Sequence, residues 1–315
     1  MRVIGWSVLV QSEVQALIKQ QGLPESFEIL VNDYYVPLSA SMARAYEKRL
    51  EQNPNAGTWM VGVQGTQGSG KSTCSLFIKH LLETEFNLSV VVLSIDDFYL
   101  TRQERITLSQ QVHPLLKTRG VPGTHDIPLI LSTFDQLKNL PEHAFMLVPR
   151  FDKATDDRKP KAKWDEVEGP VDVILFEGWC VGINAQPEAA LQSPINDLEA
   201  NEDADAKWRT FVNDQLQSEY ADVYGQLEEL VVIQAPSFKV VHEWRSLQEE
   251  KLKAKMAKRG VHNLQLMSAE EIKRFISHYQ RLTEHGLITL PNKARWVLHL
   301  DAQHNFNQLT MNGDD

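Results

Sequence analysis

The stretch Gly65-Thr66-Gln67-Gly68-Ser69-Gly70-Lys71-Ser72 meets the pattern G-x-x-x-x-G-K-[ST] at every fixed position. Upstream, Trp59-Met60-Val61-Gly62-Val63 is a short apolar run that reads as a buried strand. Downstream, Cys74, Phe77, Ile78, Leu81 and Leu82 recur at helical spacing. Glycines between a strand and a helix let the backbone wrap tightly and turn its N–H groups toward one point. The helix N-terminus adds about half a positive charge there. Residues Gly65 to Thr73 are therefore expected to hold nucleotide phosphates, with Lys71 reaching the β- and γ-phosphates and the Ser72 hydroxyl on Mg²⁺.

Working outward, four more apolar runs follow: 90–95, 173–176, 230–233 and 296–300. They are near-continuous rather than alternating, as expected of strands buried on both faces. With helical patterns between several of them, the chain reads as an α/β protein with a doubly wound, mostly parallel five-stranded sheet. Ligands in such sheets bind beyond the carboxyl ends of the strands. After the second run comes Asp96-Asp97-Phe98-Tyr99; a carboxylate there can accept the proton of an attacking hydroxyl or hold Mg²⁺. We favour Asp96 for the hydroxyl and keep Asp97 as a metal or substrate ligand, with Tyr99 also assigned to the substrate. After the third run, Glu177 is the expected second carboxylate around the metal, reaching it through a water, and Gly178 would let backbone approach the site.

The rest of the chain supplies candidates of lower information content. The stretch 100–170 is too long for a bare connection and carries His125, Arg150, Lys153 and Arg158, cations and donors suited to an anionic acceptor, with Asp126 placed to orient His125. A helix is expected around Thr133, Phe134, Leu137 and Leu140. Residues 1–57 read as a helical segment packed on the core, with Ser39 capping a helix. Residues 184–205 read as an acidic surface insertion, followed by a helix over 206–220. The run 249–260, which includes Lys251 and Arg259, reads as a basic arm able to close as a lid. Ser268 opens a capping box for a helix closed by Gly286, and 302–315 read as a frayed tail.

Composition narrows the classes. Net charge is −10, from 32 basic and 42 acidic side chains, which argues against broad nucleic-acid or anionic-membrane binding. Two cysteines, Cys74 and Cys180, are too few for a disulfide framework and suit a cytoplasmic setting. No apolar run is long enough to span a bilayer, and oligomeric state, monomer or dimer, is not legible.

The ordered segments GxxxxGK[ST], Ser94-Ile95-Asp96-Asp97-Phe98-Tyr99-Leu100-Thr101, Pro149-Arg150-Phe151-Asp152-Lys153, Val167-Glu168-Gly169-Pro170 and Leu175-Phe176-Glu177-Gly178-Trp179 resemble those of D-glycerate 3-kinase-like proteins, within the wider phosphoribulokinase, uridine kinase and pantothenate kinase group. The resemblance covers about residues 58–300. It implies ATP and Mg²⁺, a small hydroxylated acceptor with D-glycerate as the best guess, Asp96 acting on the acceptor hydroxyl, Phe151 and Asp152 lining its pocket, and a lid from Arg245 to Arg259. Lys71 and Glu177 complete the catalytic set. The alternatives are a GTPase switch, for which the chain lacks a guanine-reading N-K-x-D, an ATPase that acts as a regulatory or assembly switch between protein partners, and a kinase for another small acceptor such as pantothenate, a nucleoside or a sugar phosphate.

Overall fold

The computed structural model describes residues 8–246 and 268–313. Ten strands are present among them: β1 (Trp59–Gly65), β2 (Val90–Ser94), β3 (Phe145–Val148), β4 (Phe151–Asp152), β5 (Asp157–Arg158), β6 (Asp165–Glu168), β7 (Val173–Gly178), β8 (Glu229–Gln234), β9 (Trp296–Leu300) and β10 (Phe306–Met311). Six form one sheet in the order β10-β9-β8-β1-β7-β2. The five expected strands are all there and all parallel, and the sixth, β10, is antiparallel to β9. The register sets Ser94 and Val63 level with Glu177, so the carboxyl ends of β1, β2 and β7 open at one edge of the sheet.

Each central strand serves two cores, which is why its sequence is continuously apolar. Along β1, Trp59, Val61 and Val63 face one core and Met60 the other; along β7, Val173 and Leu175 share the first face and Ile174 and Phe176 the second. The first core is covered by the helix after the phosphate loop, Lys71–Phe86, and by the N-terminal helices. The second is covered by the helices Ile127–Lys138, Lys207–Gln217, Glu219–Tyr224 and Ala269–Thr289.

Several expectations need correction. Residues 306–311 of the tail form β10 rather than fraying, because its backbone pairs with β9 and Phe306, Leu309 and Met311 pack against the first core. Ser39 caps nothing: the helix Val36–Gln52 runs on from a π-helical turn, Val31–Tyr35, and Ser39 is buried inside it. Most of the acidic stretch 184–205 is exposed, but two of its carboxylates are not. Glu199 and Asp203 are fully buried, where Glu199 accepts from Arg281 (2.8 Å from Nε) and Asp203 from Arg209 (2.8 Å). Pairing is what permits such burial. The helix expected over 206–220 is broken at Ser218 into two. The Ser268–Glu271 capping box is formed, but Gly286 lies within that helix, not at its end. None of the helices among the described residues is long and apolar enough to cross a membrane.

Candidate active site

The phosphate loop is built by backbone. Gly68 and Gly70 sit at φ 77° and 89°, a region that side chains with a Cβ avoid, and Gly70 directly precedes the helix Lys71–Phe86. The hydroxyls of Thr66 and Ser69 are buried without a protein partner. Ser72 Oγ donates to Glu177 Oε1 at 3.0 Å, and Glu177 Oε2 is buried and unpartnered. An orphaned carboxylate oxygen next to a serine hydroxyl is a hard-oxygen donor set that fits Mg²⁺. Gly178, in contrast, gives no access to the site; a Cβ there would collide with Ile95, so its smallness serves packing.

Asp96 and Asp97 diverge after β2, as adjacent side chains in a single 3₁₀ turn must. Asp96 Oδ1 accepts from Tyr99 Oη (2.8 Å) and Oδ2 from Lys153 Nζ (2.6 Å). Burial would raise its pKa, but Lys153, Lys71 and these two hydrogen bonds outweigh burial and hold it down at about 2. Lys71 makes no ion pair among the described residues and lies close enough to be felt by Asp96. Asp97 instead accepts from the Phe151 N–H (3.0 Å) and Arg150 Nη1 (3.0 Å), while Arg150 Nε donates to Asp165 (2.7 Å). Burial raises Asp97 despite those partners. Asp97 and Arg150 thus fasten the hairpin segment β3–β6 to the end of β2.

That segment delivers the acceptor side. The turn between β4 and β5 brings Lys153 to Asp96. Asp152 bends back onto its own turn, accepting from the Ala154 N–H (3.0 Å). Arg158 donates to Asp126 (2.7 Å) and to the Tyr99 carbonyl (3.2 Å). Asp126 therefore holds Arg158 and caps the helix Ile127–Lys138 rather than orienting His125. His125 is buried, stacked on Tyr99 with ring centroids 4.5 Å apart, and hydrogen-bonded through Nδ1 to Tyr220. Burial drives its pKa down to about 3, so it is neutral near pH 7. Trp179 Nε1 and Tyr279 Oη donate to the carbonyls of Gly120 and Arg119, closing the far wall.

Two contributors had no sequence signal. His304, in the turn between β9 and β10, donates from Nε2 to the Gly68 carbonyl (2.6 Å) and packs edge-on against Trp244. Together with Thr73, Tyr34 and Phe306 they line a cavity of about 910 Å³ beside the phosphate loop. A larger cleft, about 1020 Å³ and lined by Asn184, Asn213, Asp214 and Glu229, contains no phosphate-loop residue. Arg245 lies over the Phe275 ring at 5.8 Å. Lys251, Arg259 and the rest of the basic arm fall outside the described residues. Both cysteines are buried, and burial pushes the Cys180 thiol up to about 12 and Cys74 higher still, so neither is a reactive thiolate.

A phosphate loop at a strand end, a metal-suited carboxylate on the next strand and an ionised aspartate facing it define a phosphotransferase of the P-loop kinase class. No family model matches the chain. It is 31% identical over 261 residues to the uncharacterized kinase mug58 of Schizosaccharomyces pombe, an alignment covering 79% of this chain and 88% of that one. It is 31% identical over 258 residues to the chloroplastic D-glycerate 3-kinase of Arabidopsis thaliana, covering 78% of this chain and 52% of the relative. The solved structure of D-glycerate 3-kinase from Cryptococcus neoformans superposes with a TM-score of 0.72 at 26% identity, covering 88% of this chain and 99% of that one. The chain is also 31% identical over 230 residues to the probable ATP-dependent kinase TDA10 of Saccharomyces cerevisiae, covering 68% of this chain and 73% of that one. The chain belongs to the family of D-glycerate 3-kinase-like P-loop kinases, and the protein is an ATP-dependent kinase.

Proposed function

We propose that the protein transfers the γ-phosphoryl group of Mg-ATP to the 3-hydroxyl of D-glycerate, giving 3-phosphoglycerate. The observation that carries the reading is the Asp96 carboxylate, held ionised at the end of β2 between Lys153 and the phosphate-loop Lys71. The phosphates lie on the N–H groups of Gly68 to Ser72, with the unpartnered Thr66 and Ser69 hydroxyls as further donors. The base of the nucleotide occupies the cavity between Thr73, Trp244 and His304. Ser72 and Glu177 hold Mg²⁺, which supplies charge neutralisation on the phosphates.

Lys153 is well exposed and free to exchange one Asp96 oxygen for the carboxylate of a small hydroxy acid, leaving that oxygen to the acceptor hydroxyl. Asp96 orients the hydroxyl and takes its proton as bonding to phosphorus makes that proton acidic. Lys71 stabilises the charge of the moving group. Two names among the relatives, D-glycerate 3-kinase in a plant and in a fungus, support the choice of acceptor.

The test is ADP release with Mg-ATP against D-glycerate, L-glycerate, pantothenate, uridine and ribulose 5-phosphate, with Asp96→Asn alongside. The expected result is stimulation by D-glycerate, lost by about a thousandfold in Asp96→Asn while ATP affinity is kept. Stimulation by a different acceptor would replace the substrate. Equal turnover in the wild type and Asp96→Asn would remove Asp96 from the chemistry.

A further inference from the structure

His125 has an oriented hydrogen-bonding capacity that the rest of the site does not use. Its Nδ1 is paired with the Tyr220 hydroxyl, and its Nε2, on the other flank of the ring, is buried with no partner among the described residues. Which nitrogen carries the proton follows from Tyr220. That hydroxyl is fully buried, and its hydrogen-bond partners among the described residues are the Gly123 N–H, which donates to it at 3.0 Å, and His125 Nδ1. An amide N–H cannot accept, so the acceptor for the phenol proton is His125 Nδ1. A neutral imidazole whose Nδ1 accepts carries its proton on Nε2.

We propose that Tyr220 is a positioning residue of the acceptor site, fixing His125 in the tautomer whose Nε2–H is offered to an oxygen of the bound hydroxy acid. The placement supports this. The ring stacks on Tyr99, whose hydroxyl donates to Asp96, and lies within electrostatic reach of the Asp96 carboxylate. A buried N–H without a partner is costly, and a ligand oxygen is the kind of group that relieves it. A neutral donor also adds no charge next to the cations already gathered by Lys153 and Lys71. The acceptor class that fits is one presenting a lone-pair oxygen, a carboxylate or a second hydroxyl, beside the hydroxyl that is phosphorylated. Tyr220 comes from the helix Glu219–Tyr224, so the segment between β7 and β8 contributes this side chain to the site as well as Trp179.

The inference rests on the kinase reading of Asp96 for its ligand, but the tautomer can be read without any turnover. A long-range ¹H–¹⁵N spectrum of histidine-labelled full-length protein, with His125 assigned by its loss in His125→Gln, should show Nε2 protonated and Nδ1 bare. Tyr220→Phe should mix the two forms and raise KM for the acceptor about tenfold, with KM for ATP unchanged. His125→Gln removes the imidazole that Tyr220 orients. Its acceptor KM should rise about tenfold, and adding Tyr220→Phe should change it by no more than about threefold further. A proton on Nδ1 in the wild type, or a Tyr220→Phe penalty undiminished in the His125→Gln background, overturns the proposal. Absence of acceptor-dependent turnover in the wild type would instead sink the kinase reading, and the spectrum would still decide the lock.

Discussion

The two halves of the site are made differently. The phosphate side is one contiguous stretch, Gly65 to Thr73, whose working groups are mostly backbone N–H groups and whose conformation is set by glycines at positive φ. The acceptor side is assembled from side chains on separate segments: Asp96 and Tyr99 after β2, His125 before a helix, Lys153 in a hairpin turn, Tyr220 and Tyr279 on two distant helices. A backbone site is written in consecutive letters and is shared by many enzymes. A side-chain site depends on how loops are fastened, and that is where one acceptor is told from another.

If that division is right, damage on each side should have its own signature. Glu177→Gln removes the orphaned carboxylate beside Ser72. It should lower kcat about 100-fold and raise the Mg²⁺ concentration needed for half-maximal rate, with little effect on acceptor KM. Titrating Mg²⁺ at saturating ATP checks this. An effect confined to the acceptor KM would put Glu177 on the wrong side of the comparison.

A second outcome concerns acid stability and belongs to the acceptor side. His125 is held neutral by burial, with its pKa lowered from 6.5 to about 3. Between those values the unfolded chain takes up a proton that the folded one refuses. The stability is therefore fully present above the unfolded pKa and falls as pH drops below it, by roughly 2 kcal/mol at pH 5. Urea unfolding at two pH values should show this loss shrink in His125→Gln. Burial lowers His278, His285 and His299 in the same direction, so some slope should remain. Identical slopes in the two proteins would mean that His125 is not the buried neutral group described.

The smallest effect returns to the phosphate side. His304→Ala removes the hydrogen bond to the Gly68 carbonyl and one wall of the cavity beside it. KM for ATP should rise about fivefold, the equivalent of one ordinary hydrogen bond, and the acceptor KM should not move. A change in acceptor KM alone would blur the division between the halves.

The sequence by itself determined the phosphate loop, the five parallel strands and the carboxylates at their ends. Each of these is local: a glycine pattern needs its strand and helix on either side, and strands buried on both faces need unbroken apolar runs. The Asp96–Asp97 pair was visible as a pair, but only the packing of Arg150 and Phe151 against Asp97 separated a fastening residue from the one facing Lys153. The tail shows little apolar periodicity because a register shift between Phe306 and Gln308 breaks the alternation of Phe306, Leu309 and Met311, yet the turn before it sets His304 on the phosphate loop. Within the acidic stretch, composition cannot reveal that Glu199 is buried, because the Arg281 that neutralises it lies 82 residues further along the chain. What the tertiary structure alone decided is which side chains, far apart in sequence, share a hydrogen bond. That depends on the packing of whole elements, and no local pattern of letters encodes it.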